Sequence, residues 1–430
     1  MSSALAESAA STPTRSANQR RRKAVVVHAG ARDSYQLAIA LCEANLLQTL
    51  VTDLFLPSDR TWLRHLANRL SPAFADMLAR RSAAIPSSQI HLKLLDGLRI
   101  LALEKLPRIP LNVRRTTQRA ADANLGRAAG NLARRTQAGL ITYSYYGFDA
   151  IRSYGKPAML FQVHPHPATM RRILSEELAA HPDCAASLQQ EWELALPDED
   201  YNHLVAETSM ASKYIVASSF TRSSLIEHGT NAADIEVIPY GVDLVRFHPA
   251  PTPPQNEKLE LLFVGRINQR KGIKYLVEAL SLLNPDQVHL TICGRVVDDL
   301  ALFKPFADRI TIRPSVSSAD LITAYQRADL FVFPSVAEGF AQVLLESLAC
   351  GLPILSTTHT AAPDLIEDGT QGFIIEPRRP DLIAARIAWA VDHRAQLTAM
   401  RAEARRRAEH FTWQRFRSHI ARVAAAYLAM

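Results

Sequence analysis

A chain of 430 residues is long enough for two or three domains with sizeable cores. Hydrophobic residues make up 48% and charged residues 21%, which excludes a disordered or fibrous composition. The formal net charge of +7 favours acidic partners such as phosphates, nucleic acid or anionic lipid, without choosing among them. The four cysteines, Cys42, Cys184, Cys293 and Cys350, form no CxxC pair, which argues against a disulfide framework or structural zinc and suits a reducing cytosol. No apolar run reaches the roughly 18 residues of a membrane span. The apolar run behind the basic cluster Arg20–Lys23 is too short for an export signal.

Residues 1–22 read as a disordered tail rich in Ser, Ala, Thr and Arg. Ala24–Val27 then reads as a buried parallel strand, and the turn at Ala29-Gly30-Ala31 leads into a helix with Leu37, Ala40 and Leu41 on one face. This is the opening of a doubly wound α/β domain, although the turn lacks a full GxGxxG. Leu50–Phe55 is the expected second strand. Residues 60–138 have a helical pattern studded with arginines, from Arg60 and Arg64 to Arg134 and Arg135. A solvated helix face is the simpler reading; contact with an anionic membrane or an acidic acceptor is the other. Nucleic-acid binding lacks support, because no aromatic interleaving or DNA- or RNA-binding motif accompanies the charge.

Leu140–Ser144 and Ala158–Val163 are further expected strands, the second ending at His164-Pro165-His166-Pro167. Loops at the carboxyl ends of parallel strands are where such sheets bind ligands, and a histidine there suits acid/base work or hydroxyl positioning. A lone loop histidine is more often structural. Asp198-Glu199-Asp200 has the form of a DxD metal motif, but its polar helical context favours a solvated loop. The strands Tyr214–Ala217 and Ile235–Ile238 follow. The proline-rich stretch from His248 to Pro254 is the expected domain boundary.

Beyond it a second alternation of strands and helices begins, with strands expected at Leu259–Val264, Val288–Cys293, Ile310–Ile312, Leu330–Phe333, Pro353–Ser356 and Gly372–Ile375. Such alternation predicts a parallel sheet covered on both faces. Three groups then fall at carboxyl ends of strands: Arg266 with Lys271, Gly294-Arg295, and Glu338-Gly339-Phe340 with Glu346. With Gly339 at an expected helix start, free backbone N–H groups and two cations suit a diphosphate. Glu346, a turn or two into that helix, is placed to accept from a ribose diol, and Glu338 lies nearer the sugar. The alternative for Arg266 and Lys271 is surface charge, but cations at a helix start oppose its dipole unless an anion is bound.

On the stretches at 264–280 (VGRINQRKGIKYLVEAL), 328–357 (ADLFVFPSVAEGFAQVLLESLACGLPILST), 364–377 and 238–249, and on the E-x7-E pair Glu338/Glu346, the second half resembles glycosyltransferase family 4, retaining enzymes of the GT-B fold. The first half matches only in architecture. The resemblance implies two facing Rossmann-like domains: an acceptor-side domain at 23–247, a nucleotide-sugar domain at 255–411, and a final helix at 412–430 crossing back onto the first. It implies that Arg266 and Lys271 bind the diphosphate and Glu346 the ribose. Glu338 with the Gly339-Phe340 backbone would bind sugar and phosphate, and Gly294 would add to the donor site. His164, or secondarily His166, would stand near the donor sugar, and Gly30 in the glycine loop of the acceptor side. The catalytic set so implied is Glu338, His164, Arg266 and Lys271, with no metal or other cofactor. The expected activity is transfer of a hexose-type sugar from a nucleotide-diphosphate sugar to a hydroxyl of a glycan or lipid-linked acceptor. The expected setting is the cytoplasm, at the inner face of the membrane if the basic segment docks there. A nucleotide-sugar epimerase or hydrolase of the same fold, or an inactive binding protein, remains the alternative.

Overall fold

Short runs of Val, Leu, Ile and Phe with no polar face can be satisfied only by burial on both sides, and they form the strands of two parallel sheets. The computed structural model describes residues 22–30, 33–57, 59, 69, 78–106, 109–297 and 300–430. The tail 1–21, the turn residues Ala31 and Arg32, and Arg60, Arg64 and Arg108 of the basic segment lie outside the described residues.

In chain order the first half contributes β1 (Ala24–Val27), β2 (Leu47–Thr52), β3 (Leu56–Pro57), β4 (Ser82–Ala83), β5 (Ile90–Leu92), β6 (Gly139–Tyr143), β7 (Met159–Gln162), β8 (Lys213–Val216) and β9 (Ile235–Val237). Among the described residues these give a seven-stranded sheet in the order β5-β2-β1-β6-β7-β8-β9, with β3 and β4 paired separately. The second half contributes β10 (Leu259–Val264), β11 (Val288–Cys293), β12 (Ile310–Arg313), β13 (Leu330–Phe333), β14 (Ile354–Thr357) and β15 (Gly372–Ile375). Their order is β12-β11-β10-β13-β14-β15. In both sheets the order reverses beside the first strand, and ligands bind outside the carboxyl ends at such a switch point. The fold is α/β with two facing Rossmann-like domains.

The last helix, Trp413–Leu428, begins at Thr412, whose hydroxyl accepts from the Arg415 N–H at 3.2 Å. It buries Phe416, Ile420, Ala424 and Leu428 in the core of the first sheet. Residues after β7 cross in the other direction. Met170, Ile173 and Leu174 of helix Pro167–Ala180, with Cys184 and Leu188 beyond it, belong to the same buried cluster as Phe263, Ile267 and Ile273 of the second sheet. This strap, 167–196, ties the first half of the chain to the loop after β10.

Three expectations need correction. The second strand starts three residues earlier and stops at Thr52, because Asp53 and Leu54 bend away. A strand, β5, sits inside the stretch that reads as helical. The basic face is divided: Arg99, Arg134 and Arg135 are exposed, as a solvated face requires, while others are tied into the protein. Arg119 is buried against Asp200 (3.3 Å), Arg127 pairs with Asp149 (2.9 Å), and Arg114 and Arg115 donate to backbone carbonyls. No helix among the described residues is long and apolar enough to cross a membrane.

Candidate active site in the interdomain cleft

The loop after β10 carries three cations, Arg266, Arg270 and Lys271, the last two in a short 3-10 turn at Gln269–Lys271 that Asn268 caps. Arg270 and Lys271 both turn inward to Glu338. Arg270 Nη1 donates to Glu338 Oε1 at 2.7 Å and to the Ala337 carbonyl at 3.0 Å. Lys271 Nζ donates to the same carboxylate oxygen, and Ser335 Oγ adds a bond at 3.0 Å. Glu338 is buried, yet burial loses to its cations. Burial alone would raise its pKa, but Arg270 and Lys271 hold it down at about 2, so it is ionised at any working pH. For Lys271 the balance goes the other way. Burial and the neighbouring Arg270 lower its pKa to about 8, despite Glu338. Arg266 remains nearly half exposed.

Opposite these cations the chain 339–343 lines a cavity of about 340 Å³, together with Arg266, Arg270, Lys271, Glu338 and His164. The helix here starts at Gln342, not at Gly339 as expected from the sequence. Ala341, its N-cap, adopts φ 70°, a left-handed conformation that costs a non-glycine residue roughly 1–2 kcal/mol. That turn holds the backbone of 339–341 against the first domain. The Gly339 carbonyl accepts from Ser218 Oγ at 2.6 Å and from Thr221 Oγ1 at 3.3 Å. Strain of this kind, kept at the wall of a cleft, marks a site where backbone position matters. Gln342 and Val343, which open the helix, lie on the same wall.

Glu346 lines a second cavity of about 600 Å³, with Arg246, Asp243 and, from the first domain, Asp33. Its Oε2 accepts from the Tyr325 hydroxyl at 3.1 Å, and burial raises its pKa. Tyr240 and Gln342 line both cavities, so the two glutamates stand at separate stations of one cleft. Gly294 does not line it. A Cβ there would lie 1.8 Å from the Gly265 carbonyl oxygen, so Gly294 packs the two strand ends together.

From the first domain, His164 reaches the cleft edge-on to Tyr145 at 5.9 Å. It lines both the 340 Å³ cavity and a third one of about 270 Å³. Gly30, Asp53, Arg81, Asp122 and Trp192 share this third cavity. The Gly30 N–H is spent within the domain, donating to Asp53 Oδ1 at 3.0 Å, and Arg81 pairs with Asp53 at 2.6 Å. His166, the second histidine candidate, is not in the cleft. Buried, it caps helix Pro167–Ala180 by accepting from the Ala168 N–H at 3.2 Å, meets Thr208 at 3.0 Å and stacks on His228. Burial and His228 push its pKa down to about 4. The DxD carboxylates form the first turn of helix Asp198–Met210, where Asp198 and Asp200 face Arg171 and Arg119. No group of three His, Cys, Asp or Glu side chains that could hold a metal occurs among the described residues.

The sequence reading missed Arg270, which nothing local distinguishes from its neighbour Lys271. It also missed Glu191, Asp53, Asp122 and Trp192, whose roles depend on contacts across the fold.

Two facing Rossmann-like domains, with a final helix returning to the first and a cleft between sheet edges, define the GT-B fold. Residues 246–407 match the family model of the glycosyl transferases group 1. Among curated proteins, the chain is 31% identical over 229 residues to the D-inositol 3-phosphate glycosyltransferase of Geodermatophilus obscurus, covering 48% of this chain and 50% of that protein. It is 29% identical over 228 residues to the enzyme of the same name from Paenarthrobacter aurescens, covering 48% of this chain and 55% of that protein. The chain thus spans about half the length of these relatives. Among solved structures, sucrose-phosphate synthase from Thermosynechococcus elongatus superposes with a TM-score of 0.67 at 17% identity, over 95% of this chain and 100% of that one. HepE of Anabaena, in complex with UDP, does so with a TM-score of 0.61 at 15% identity, over 94% and 100%.

Proposed function

We propose that the protein is a retaining glycosyltransferase that moves a sugar from a nucleotide-diphosphate donor to a hydroxyl of a glycan or lipid-linked acceptor. The observation that carries this reading is the pair Arg270 and Lys271 on Glu338, with Arg266 lining the same 340 Å³ cavity and His164 on its first-domain wall. A diphosphate gains charge as the glycosidic bond breaks, and preorganised cations stabilise that change. Losing one such group typically costs roughly 3–4 kcal/mol of barrier. In this reading Arg266 and Lys271 hold the diphosphate and Glu346 the ribose. Glu338, ionised and pinned, orients the cations and stabilises the cationic sugar. It takes no proton. The acceptor enters from the first-domain cavity past His164, attacks on the face the diphosphate leaves, and gives its proton to a leaving phosphate oxygen. No covalent nucleophile and no metal is assigned. The family match to 246–407 and the UDP bound by HepE support a nucleotide-sugar donor. None of the four cysteines forms a disulfide, which is compatible with a reducing, cytoplasmic setting.

Incubating the protein with a panel of UDP-, GDP- and ADP-sugars, with and without glycan acceptors, tests the reading. Acceptor-dependent product with the anomeric configuration of the donor is expected. Equal consumption of the donor without any acceptor would instead favour a hydrolase or epimerase.

Peripheral membrane contact is favoured by one further observation. Leu95 is 72% exposed, and Leu94, Leu98, Leu106 and Leu111 are exposed around it, beside the exposed Arg99. An apolar stripe with basic flanks suits the surface of an anionic bilayer. Sedimentation with anionic vesicles, reduced in a Leu95→Asp variant, is the expected result.

A further inference from the structure

The strap 167–196 comes from the first half of the chain, yet its acids grip the loop that carries the phosphate-binding cations. Glu177, fully buried, accepts from Gln269 Nε2 at 2.9 Å and from the Tyr275 hydroxyl at 3.1 Å. Asp183 accepts from Lys274 at 2.7 Å. Those two contacts lie behind the loop and fix it. The third is different. Glu191, 8% exposed, brings one oxygen to the cations themselves: its Oε1 lies 3.1 Å from Arg270 Nε and 3.7 Å from Arg266 Nη2, and accepts from Asn268 Nδ2 at 3.1 Å.

We propose that Glu191 is a built-in competitor for the donor diphosphate, an anion on the strap that shares the donor's cations and sets donor affinity. The inference rests on the donor-site reading above. Three cations, Arg266, Arg270 and Lys271, directly face two carboxylates, Glu191 and Glu338, while the nearby buried Glu193 is pushed by burial toward its neutral form, so positive charge is left to meet an entering diphosphate. Glu338 is locked among buried partners and cannot yield. Glu191 can, because its weakest contact is to Arg266, the most exposed of the three cations. A diphosphate that draws Arg266 and Arg270 toward itself weakens their hold on Glu191 and loosens the strap. The next residue, Trp192, forms part of the wall of the first-domain cavity. Donor arrival is thereby felt on the acceptor side through one step of chain.

The test is equilibrium titration of the full chain with UDP, GDP and ADP, for wild type, Glu191→Gln, Glu191→Asp and Lys271→Ala. Glu191→Gln keeps the shape and the bond from Asn268 while removing the charge. It is expected to bind the preferred nucleotide roughly tenfold more tightly, because a like charge a few ångströms from the ligand is gone. Its affinity should also fall more steeply with salt. Glu191→Asp keeps the charge and should stay near wild type, and Lys271→Ala should bind more weakly. Unchanged or weaker binding by Glu191→Gln overturns the proposal, as does equal tightening by Glu191→Asp, which would make the effect steric. If wild type binds none of the nucleotides, the donor-site reading itself fails. Hydrogen exchange on wild type gives a measure that needs no variant. Amides of 189–194 should exchange faster with saturating nucleotide, and protection there would overturn the proposal.

Discussion

Gly339 and Val163 meet with no room between them: a Cβ on Gly339 would lie 1.9 Å from the Val163 carbonyl oxygen. One residue belongs to the loop after β13, the other directly follows β7, so this contact sets how closely the two domains approach. Forcing a methyl group into such a place typically costs about 1–3 kcal/mol, and here the relief available is to part the domains. Parting them would strain the bonds that Ser218 and Thr221 make to the Gly339 carbonyl and would move His164 away from Glu338. Gly339→Ala is therefore expected to lower the Tm and to cut transferase turnover at least tenfold, as measured by thermal denaturation and initial rates. Wild-type turnover in this variant would mean that the two loops separate during the reaction.

On the proposed donor-site role, Lys271 should give the reaction a pH limit. Its burial and the Arg270 charge bring its pKa to about 8 from an ordinary 10.5, so the free enzyme loses one donor-site cation as the pH passes 8. Because kcat/KM for the donor reports the free enzyme, it should fall about tenfold per pH unit above that point, while kcat, read with an anion already bound, falls later. Stability moves in the opposite direction. Between about 8 and 10.5 the unfolded chain binds more protons at this site than the folded one, so the contribution of Lys271 to stability rises with pH. An activity loss without unfolding is the expected signature. Lys271→Arg should carry the limb beyond pH 10, and an unchanged limb would assign it to another group.

Glu346 stands apart from Glu338, in the larger cavity, with the Tyr325 hydroxyl on one oxygen. If the other oxygen accepts from the ribose, Glu346→Gln loses a charge-assisted bond, typically about 1.5–3 kcal/mol, or roughly ten- to a hundredfold in donor affinity. The sharper readout is discrimination. Wild type should bind the preferred nucleoside diphosphate more tightly than its 2′-deoxy form, and the variant should bind the two alike. Equal discrimination by both would remove Glu346 from the ribose.

The second sheet was legible because its strands are short runs of Leu, Phe, Ile and Val that nothing but a buried parallel strand would satisfy. Arg266, Lys271, Glu338 and Glu346 were legible as groups at carboxyl ends of those strands. What was hidden depended on partners distant in sequence. Gly339 reads locally as a helix start. In the fold it is a spacer against Val163, and Ala341 takes a left-handed turn to allow this, a tertiary demand overriding local preference. Glu191 sits in an acid-rich stretch with nothing local to mark it, and only the crossing of the strap brings it to Arg266 and Arg270. His166 has the same local setting as His164. Two residues of chain separate a side chain in the cleft from a buried one that caps a helix.

The first domain carries its own titrating group. Glu207 is buried beneath the turn 145–148, where its carboxylate accepts from the Tyr145 N–H at 2.9 Å and the Phe148 N–H at 3.3 Å. Burial outweighs those bonds and the nearby Arg119, and raises its pKa to about 7 from an ordinary 4.5. A carboxyl group shifted upward favours the fold while protonated. Its contribution is complete below pH 4.5 and is lost as the pH rises through 7. The loss is on the order of 3 kcal/mol. Tyr145, which this turn carries, packs edge-on to His164, so loosening here reaches the 270 Å³ first-domain cavity as well. Thermal denaturation of wild type between pH 5 and 8 should show a falling Tm. Glu207→Gln, neutral throughout and still able to accept from Tyr145, should flatten that fall. A wild-type Tm independent of pH would mean that Arg119 and the two backbone donors hold the carboxylate charged, and that the turn is held by that charge.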